Sequence, residues 1–143
     1  MRNHGPVMRQ VFDSFAGFDD FLVYLLVALV LLGLFIAIYI RVTPYREVAL
    51  IREGNVAASY SLSGTLVGFV IPLASAIEHS VGLVDMALWG LIAMLVQLGA
   101  YVAVKLTIPT IGTDIPAGKA SAGFFLGAVS LAVGVLNAAC MSY

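Results

Sequence analysis

Charge is what this chain has least of. Asp, Glu, Lys and Arg make up only 10% of its residues, against about 25% in soluble proteins. Four long segments carry no charge at all: Phe21 to Ile40, Val56 to Ile77, Met86 to Val104 and Ala120 to Tyr143. A hydrocarbon layer about 30 Å thick is crossed by roughly 20 apolar residues in helical form, so each segment predicts a membrane span. Cysteine is nearly absent. Cys140 stands alone, which excludes an intrachain disulfide or a cysteine-based zinc site. A buried, unreactive thiol is the expectation there, with an intermolecular bridge as the alternative. A basic excess is also missing: 7 Lys and Arg against 8 Asp and Glu give a net charge of -1, which offers no field for nucleic acid.

Chemistry-bearing constellations are equally scarce. The two histidines, His4 and His79, lie away from the hydroxyls Ser59, Ser61, Ser63 and Thr65 of the second span, so no nucleophile–base pair forms. No glycine-rich phosphate loop is present, and Glu78, His79 and Asp85 read as solvated helix ends rather than a metal site. The expectation is a protein that is not an enzyme and needs no cofactor.

What is present is a pattern of spans and a second pattern laid over it. Shifting the sequence by 64 positions places Leu31 on Leu95, Thr43 on Thr107, Ile51 on Ile115, Gly54 on Gly118, Leu62 on Leu126 and the cation Arg41 on Lys105. The weight of this internal match rests on Thr, Gly and the cation sharing one register. It predicts an all-α polytopic membrane protein of four transmembrane helices, arranged as two tandem two-helix repeats of the same orientation. The units are 1–20, an amphipathic segment lying in the membrane interface; 21–77, the first repeat; and 84–143, the second.

Between the first two spans, Thr43 and Pro44 read as the cap and first residue of a short surface helix that stops at Gly54, with Arg46, Glu47, Arg52 and Glu53 facing water. Asn55 reads as the cap of the second span. The segment from Lys105 to Lys119, with Pro109, Gly112 and Pro116, predicts irregular chain. Arg41, Arg46, Arg52, Lys105 and Lys119 gather in the first and third loops, against Arg2 and Arg9 opposite. The positive-inside bias then places both loops in the cytoplasm and both termini outside. The same five cations are candidates for contact with anionic lipid headgroups or a protein partner.

In lipid, helices associate through small residues and a few polar contacts. The second span supplies Ser61, Gly64, Thr65, Gly68 and Pro72, and the fourth supplies Gly123, Gly127, Ser130, Gly134 and Asn137; Gln97 is the polar residue of the third. These are candidate helix-packing or pore-lining positions. Spans two and four are expected at the centre, the bulkier spans one and three at the lipid-facing periphery, and Pro72 is expected to kink or loosen span two. Deeply placed charge, the usual mark of an ion path, is missing from the spans.

Thr43-Pro44, Glu53-Gly-Asn-Val-Ala-Ala-Ser59, Ser63-Gly-Thr-Leu-Val-Gly-Phe-Val-Ile-Pro-Leu73 and the ending Asn137-Ala-Ala-Cys-Met-Ser-Tyr143 resemble the YjfL-like bacterial inner-membrane proteins, which are built from two copies of domain-of-unknown-function family 350. The resemblance implies a bacterial cytoplasmic membrane and a loose association with envelope-related gene neighbourhoods, and it brings no established activity or site. The leading functional expectation is a homo-oligomeric, non-enzymatic scaffold or accessory component of the envelope. The alternative is a small channel or permease for an ion or small solute. Expected partners are the bilayer, further copies of the chain and an envelope protein.

Overall fold

The computed structural model describes residues 5–141; Arg2, Asn3 and His4 lie outside them. The elements in order are α1 (Pro6–Phe15), α2 (Phe18–Val42), α3 (Glu47–Arg52), α4 (Val56–His79), α5 (Leu83–Thr107), α6 (Ile111–Asp114) and α7 (Ala120–Cys140). Four of the helical stretches are long and apolar enough to span a bilayer: α1 with α2, then α4, α5 and α7. The protein is an all-helical, polytopic membrane protein with four membrane-spanning helices.

The ends of α2 and α3 and the start of α4 are set by identifiable chemistry. Thr43 closes α2, its backbone N–H reaching the Tyr39 carbonyl at 3.0 Å. It does not cap the next helix; α3 begins at Glu47, behind Arg46. Gly54 ends α3 in the left-handed region at φ 86°, a conformation that costs glycine nothing. The neighbouring N–H groups of Gly54 and Asn55 return to the Ile51 and Leu50 carbonyls at 3.0 and 2.9 Å, satisfying the orphan acceptors of the last turn. Asn55 then caps α4, accepting from the Ala58 N–H at 2.9 Å. Its amide nitrogen donates to the carbonyls of Ile115 and Pro116 at 2.9 and 3.2 Å, which joins the two loops. The Lys105–Lys119 segment is less irregular than expected: α5 runs on to Thr107, and α6 adds a turn whose Asp114 accepts from Thr110 and Lys119.

The packing corrects one expectation. α4 packs most extensively against α7, but α5 touches α2, α4, α6 and α7, and only α2 among the four spans is largely peripheral. The reason is side-chain size along α5: Gly90, Ala93, Gln97 and Ala100 share a buried face with Met86, Met94 and Tyr101. The fourth span instead keeps a broad exposed face containing Phe124, Phe125, Leu131, Val135 and Leu136. α1 forms as a helix, but every one of its residues is exposed. Cys140 is exposed rather than buried, because it lies in the last turn of α7 beyond the packed seam.

Candidate functional site

The seam between α4 and α7 is closed by backbone contact. A Cβ added to Gly123 would enter the backbone of Ala57, one on Gly134 that of Gly68, and one on Gly64 that of Gly127. No side chain fits at these positions, so the glycines set how closely the helices approach. Ser61, Thr65, Gly68, Pro72, Gly123, Gly127, Ser130 and Gly134 are buried, Gly64 and Asn137 partly so. The small-residue faces therefore meet each other rather than line an open lumen. Outside the seam, Tyr60 and Phe124 make an edge-to-face pair at 5.9 Å.

Pro72 leaves α4 continuous instead of breaking it. A proline has no N–H to give to the carbonyl four residues earlier, which frees the oxygen of Gly68. The Gln97 amide of α5 donates to that oxygen at 2.9 Å and to the Ser130 carbonyl of α7 at 3.1 Å. One fully buried side chain thus satisfies the defect made by Pro72 and ties three spans together. Sequence reasoning singled out Pro72 and Gln97 separately; the shared Gly68 carbonyl was the signal that connects them.

Toward the loop end the seam becomes more polar. The Thr65 hydroxyl donates to the Ser61 carbonyl at 2.8 Å and lies within hydrogen-bond distance of Tyr39 Oη at 3.4 Å and Ser130 Oγ at 3.3 Å. Tyr39 packs edge-to-face on Tyr101 at 5.7 Å, and Phe35 beside it stacks on Phe69 at 4.3 Å. These rings bring α2, α4 and α5 together under the short helix α3.

Glu47 drops into this roof, contrary to the expectation that it faces water. It is 1% exposed, and neither carboxylate oxygen has a hydrogen-bond partner. Tyr39, Tyr45 and Tyr101 surround it closely enough to feel its charge. Burial disfavours the ionised form, and no cation compensates, so the Glu47 carboxyl is pushed up to about 8. The same burial, reinforced by the Glu47 charge, raises the Tyr45 phenol well above its ordinary range. At neutral pH Glu47 is therefore mainly the neutral acid, and a modest alkaline change ionises it. The Tyr101 hydroxyl, Gln97 Oε1 and, at the other end of the seam, Asn137 Nδ2 are also buried without partners, whereas the Tyr45 hydroxyl lies beside Ser61. Native interiors leave few polar atoms in that condition, which makes the buried Glu47 carboxyl a candidate functional group.

The sequence expectations missed Glu47 because its neighbours Arg46 and Arg52 are exposed, as are Arg41, Lys105 and Lys119. A solvated charged helix is the natural reading of such a run. The signal lay elsewhere, in Tyr39 and Tyr101 near the loop ends of their spans. Among the described residues no group of three metal-ligating side chains comes together.

The family profile described as Domain of Unknown Function (DUF350) matches residues 13–141, across all four spans. The chain belongs to the DUF350 family. The match is a single one rather than two successive ones. The chain is 38% identical over 133 residues to the UPF0719 inner membrane protein YjfL of Escherichia coli strain K12, covering 93% of this chain and 98% of that one. The protein of the same description from Escherichia coli O157:H7 is similar to the same extent. No solved structure matches.

Proposed function

We propose that this DUF350 protein is a small proton-linked channel or permease component of the bacterial inner membrane, with Glu47 as the group that exchanges the proton. The observation that carries this reading is the partnerless Glu47 carboxylate, buried among three tyrosines at the end of the Thr65–Ser130–Gln97 seam. An unpaired acid at such a place costs stability whenever it ionises, and a buried acid with a shifted titration is a candidate for proton exchange. The packed seam corresponds to a shut state. Ionisation of Glu47 favours release of α3, which covers the seam at the loop end. The similarity to inner membrane proteins supports the location, and the cluster of Arg41, Arg46, Arg52, Lys105 and Lys119 supports a cytoplasmic position for that end, with both termini outside.

The test is flux. In proteoliposomes carrying a pH-sensitive dye, imposed sodium, potassium and proton gradients should drive ion or proton movement through the wild-type chain, and Glu47→Gln should reduce it about tenfold or more. Wild-type flux equal to that of empty liposomes, or a Glu47→Gln variant as active as wild type, removes the reading.

A homo-oligomeric scaffold is the second reading, favoured by a lipid-facing groove of 310 Å³ along α4 and α7 whose floor contains Gly64 and Gly127 and whose rim carries Tyr60 and Phe124. The two helix pairs are further read as tandem copies of one unit. This is supported by Gly54 and Gly118, which occupy matching sequence positions and share the left-handed conformation at φ 86° and 79°.

A further inference from the structure

Arg46, just before α3, and Arg52, its last residue, flank an open cleft of 480 Å³ whose lining includes Ile40, Thr43, Tyr45, Arg46, Glu47 and Arg52. Among the described residues the one salt bridge joins Lys119 to Asp114, so no carboxylate of those residues neutralises Arg46 or Arg52. The cleft begins at Ile40, near the end of α2, at the level where a spanning helix passes from acyl chains to headgroups. Its size is that of an ordinary small-ligand site. Guanidinium groups present paired donors that match the oxygens of a phosphate.

We propose that this cleft binds one phosphodiester anion between Arg46 and Arg52, and that Glu47 in its wall weakens the binding when it ionises. The anion site stands on the cleft alone; its pH dependence rests on the reading of Glu47 as a titrating group. The groups facing Glu47 are Tyr39 from α2, Tyr45 from the connecting segment and Tyr101 from α5, behind which Tyr45 meets Ser61 and Tyr39 meets Thr65 on α4; Arg46 and Arg52 line the same cleft without pairing with it. Protonated Glu47 leaves the cleft with the two arginine charges. Ionised Glu47 cancels part of that field close to the bound anion.

The full chain in detergent is titrated with short-chain dihexanoyl phosphatidylglycerol and, separately, with the water-soluble diester glycerophosphoglycerol. Both diesters keep a constant charge across the range used, so a pH effect belongs to the protein. The Arg46→Gln/Arg52→Gln double variant should bind about tenfold more weakly, while Arg41→Gln/Lys105→Gln, at exposed positions outside the cleft, should change affinity by less than about twofold. Wild-type affinity should fall as pH rises through about 8, and Glu47→Gln should remove that fall.

Binding of the lipid alone supports a bilayer headgroup as occupant, whereas equal binding of the soluble diester supports a free phosphate compound. Binding of neither overturns the proposal, as does an equal loss from the Arg41/Lys105 pair, which would mean diffuse surface charge. Affinity that stays level with pH in the wild type overturns the link to Glu47, even where Glu47→Gln abolishes flux. Conversely, intact pH-dependent binding without any flux removes the transport reading and leaves the anion site standing.

Discussion

The two ends of the seam between α4 and α7 are built on opposite terms. In its middle, glycines press backbone on backbone, and the acceptor freed by Pro72 is met by Gln97. Under α3, Glu47 and Tyr101 hold buried polar atoms with no partner. In the first region the close approaches gain dispersion contacts, and the carbonyls of Gly68 and Ser130 gain a donor. No such gain meets the buried acid in the second, where replacing it by a neutral residue would remove a penalty. The difference is between a region whose polar groups are answered within the packing and one whose buried acid is not.

The sharpest way to break this comparison is to fill the seam. Gly123→Leu and Gly134→Leu force side chains into the backbones of Ala57 and Gly68 and should each cost about 3 kcal/mol or more, seen as loss of the monodisperse folded species on size-exclusion chromatography. Gly33→Leu and Gly99→Leu, where an added Cβ meets nothing within 4 Å, should leave that species intact. If all four behave alike, helix approach at the seam is not set by glycine.

Glu47→Gln comes next and should act in the opposite direction. With a folded pKa of about 8 against an ordinary 4.5, Glu47 ionises freely in the unfolded chain while the folded protein still holds the proton, so folding loses stability as pH rises between the two values. Thermal stability of the wild type should therefore decline across that window. Glu47→Gln should match it at pH 4–5 and exceed it at about pH 9, by an amount on the order of a few kcal/mol. Parallel pH profiles for the two proteins would show that Glu47 is solvated.

Smaller effects refine the boundary between the regions. Gln97→Leu should cost about 1 kcal/mol, the usual scale for a hydrogen bond between spans, whereas Gln97→Leu combined with Pro72→Ala should cost less than the sum, because restoring the N–H at position 72 gives Gly68 its own partner. Strict additivity would deny the link between the two residues. Lys119→Ala should produce no measurable change in melting temperature, since the Lys119 side chain is 62% exposed and Asp114 keeps its bond from Thr110.

Much of the scaffold was legible in the chain. Uncharged segments placed the spans, small residues at helical spacing marked the faces of α4 and α7, and Asn55 and Gly54 announced a cap and a stop through their backbone chemistry. The role of α5 was only half visible: Gln97 drew notice as a carboxamide inside a span, but its two acceptors sit on helices distant in sequence. Glu47 was not visible. Its burial is decided by Tyr39 and Tyr101, which come from two other helices, while its local sequence reads as a solvated turn. Periodicity reports which side of one helix is apolar, and it carries no information about a polar residue that three elements close over together.

Asn55 has a mechanical consequence. The same carboxamide that starts α4 also grips the carbonyls of Ile115 and Pro116. The first hairpin's turn and the second's are thereby pinned like two leaves on one hinge pin. Any tilt of α4 that tugs on its first turn is transmitted to the segment before α7, so a disturbance arising in either half is felt by both.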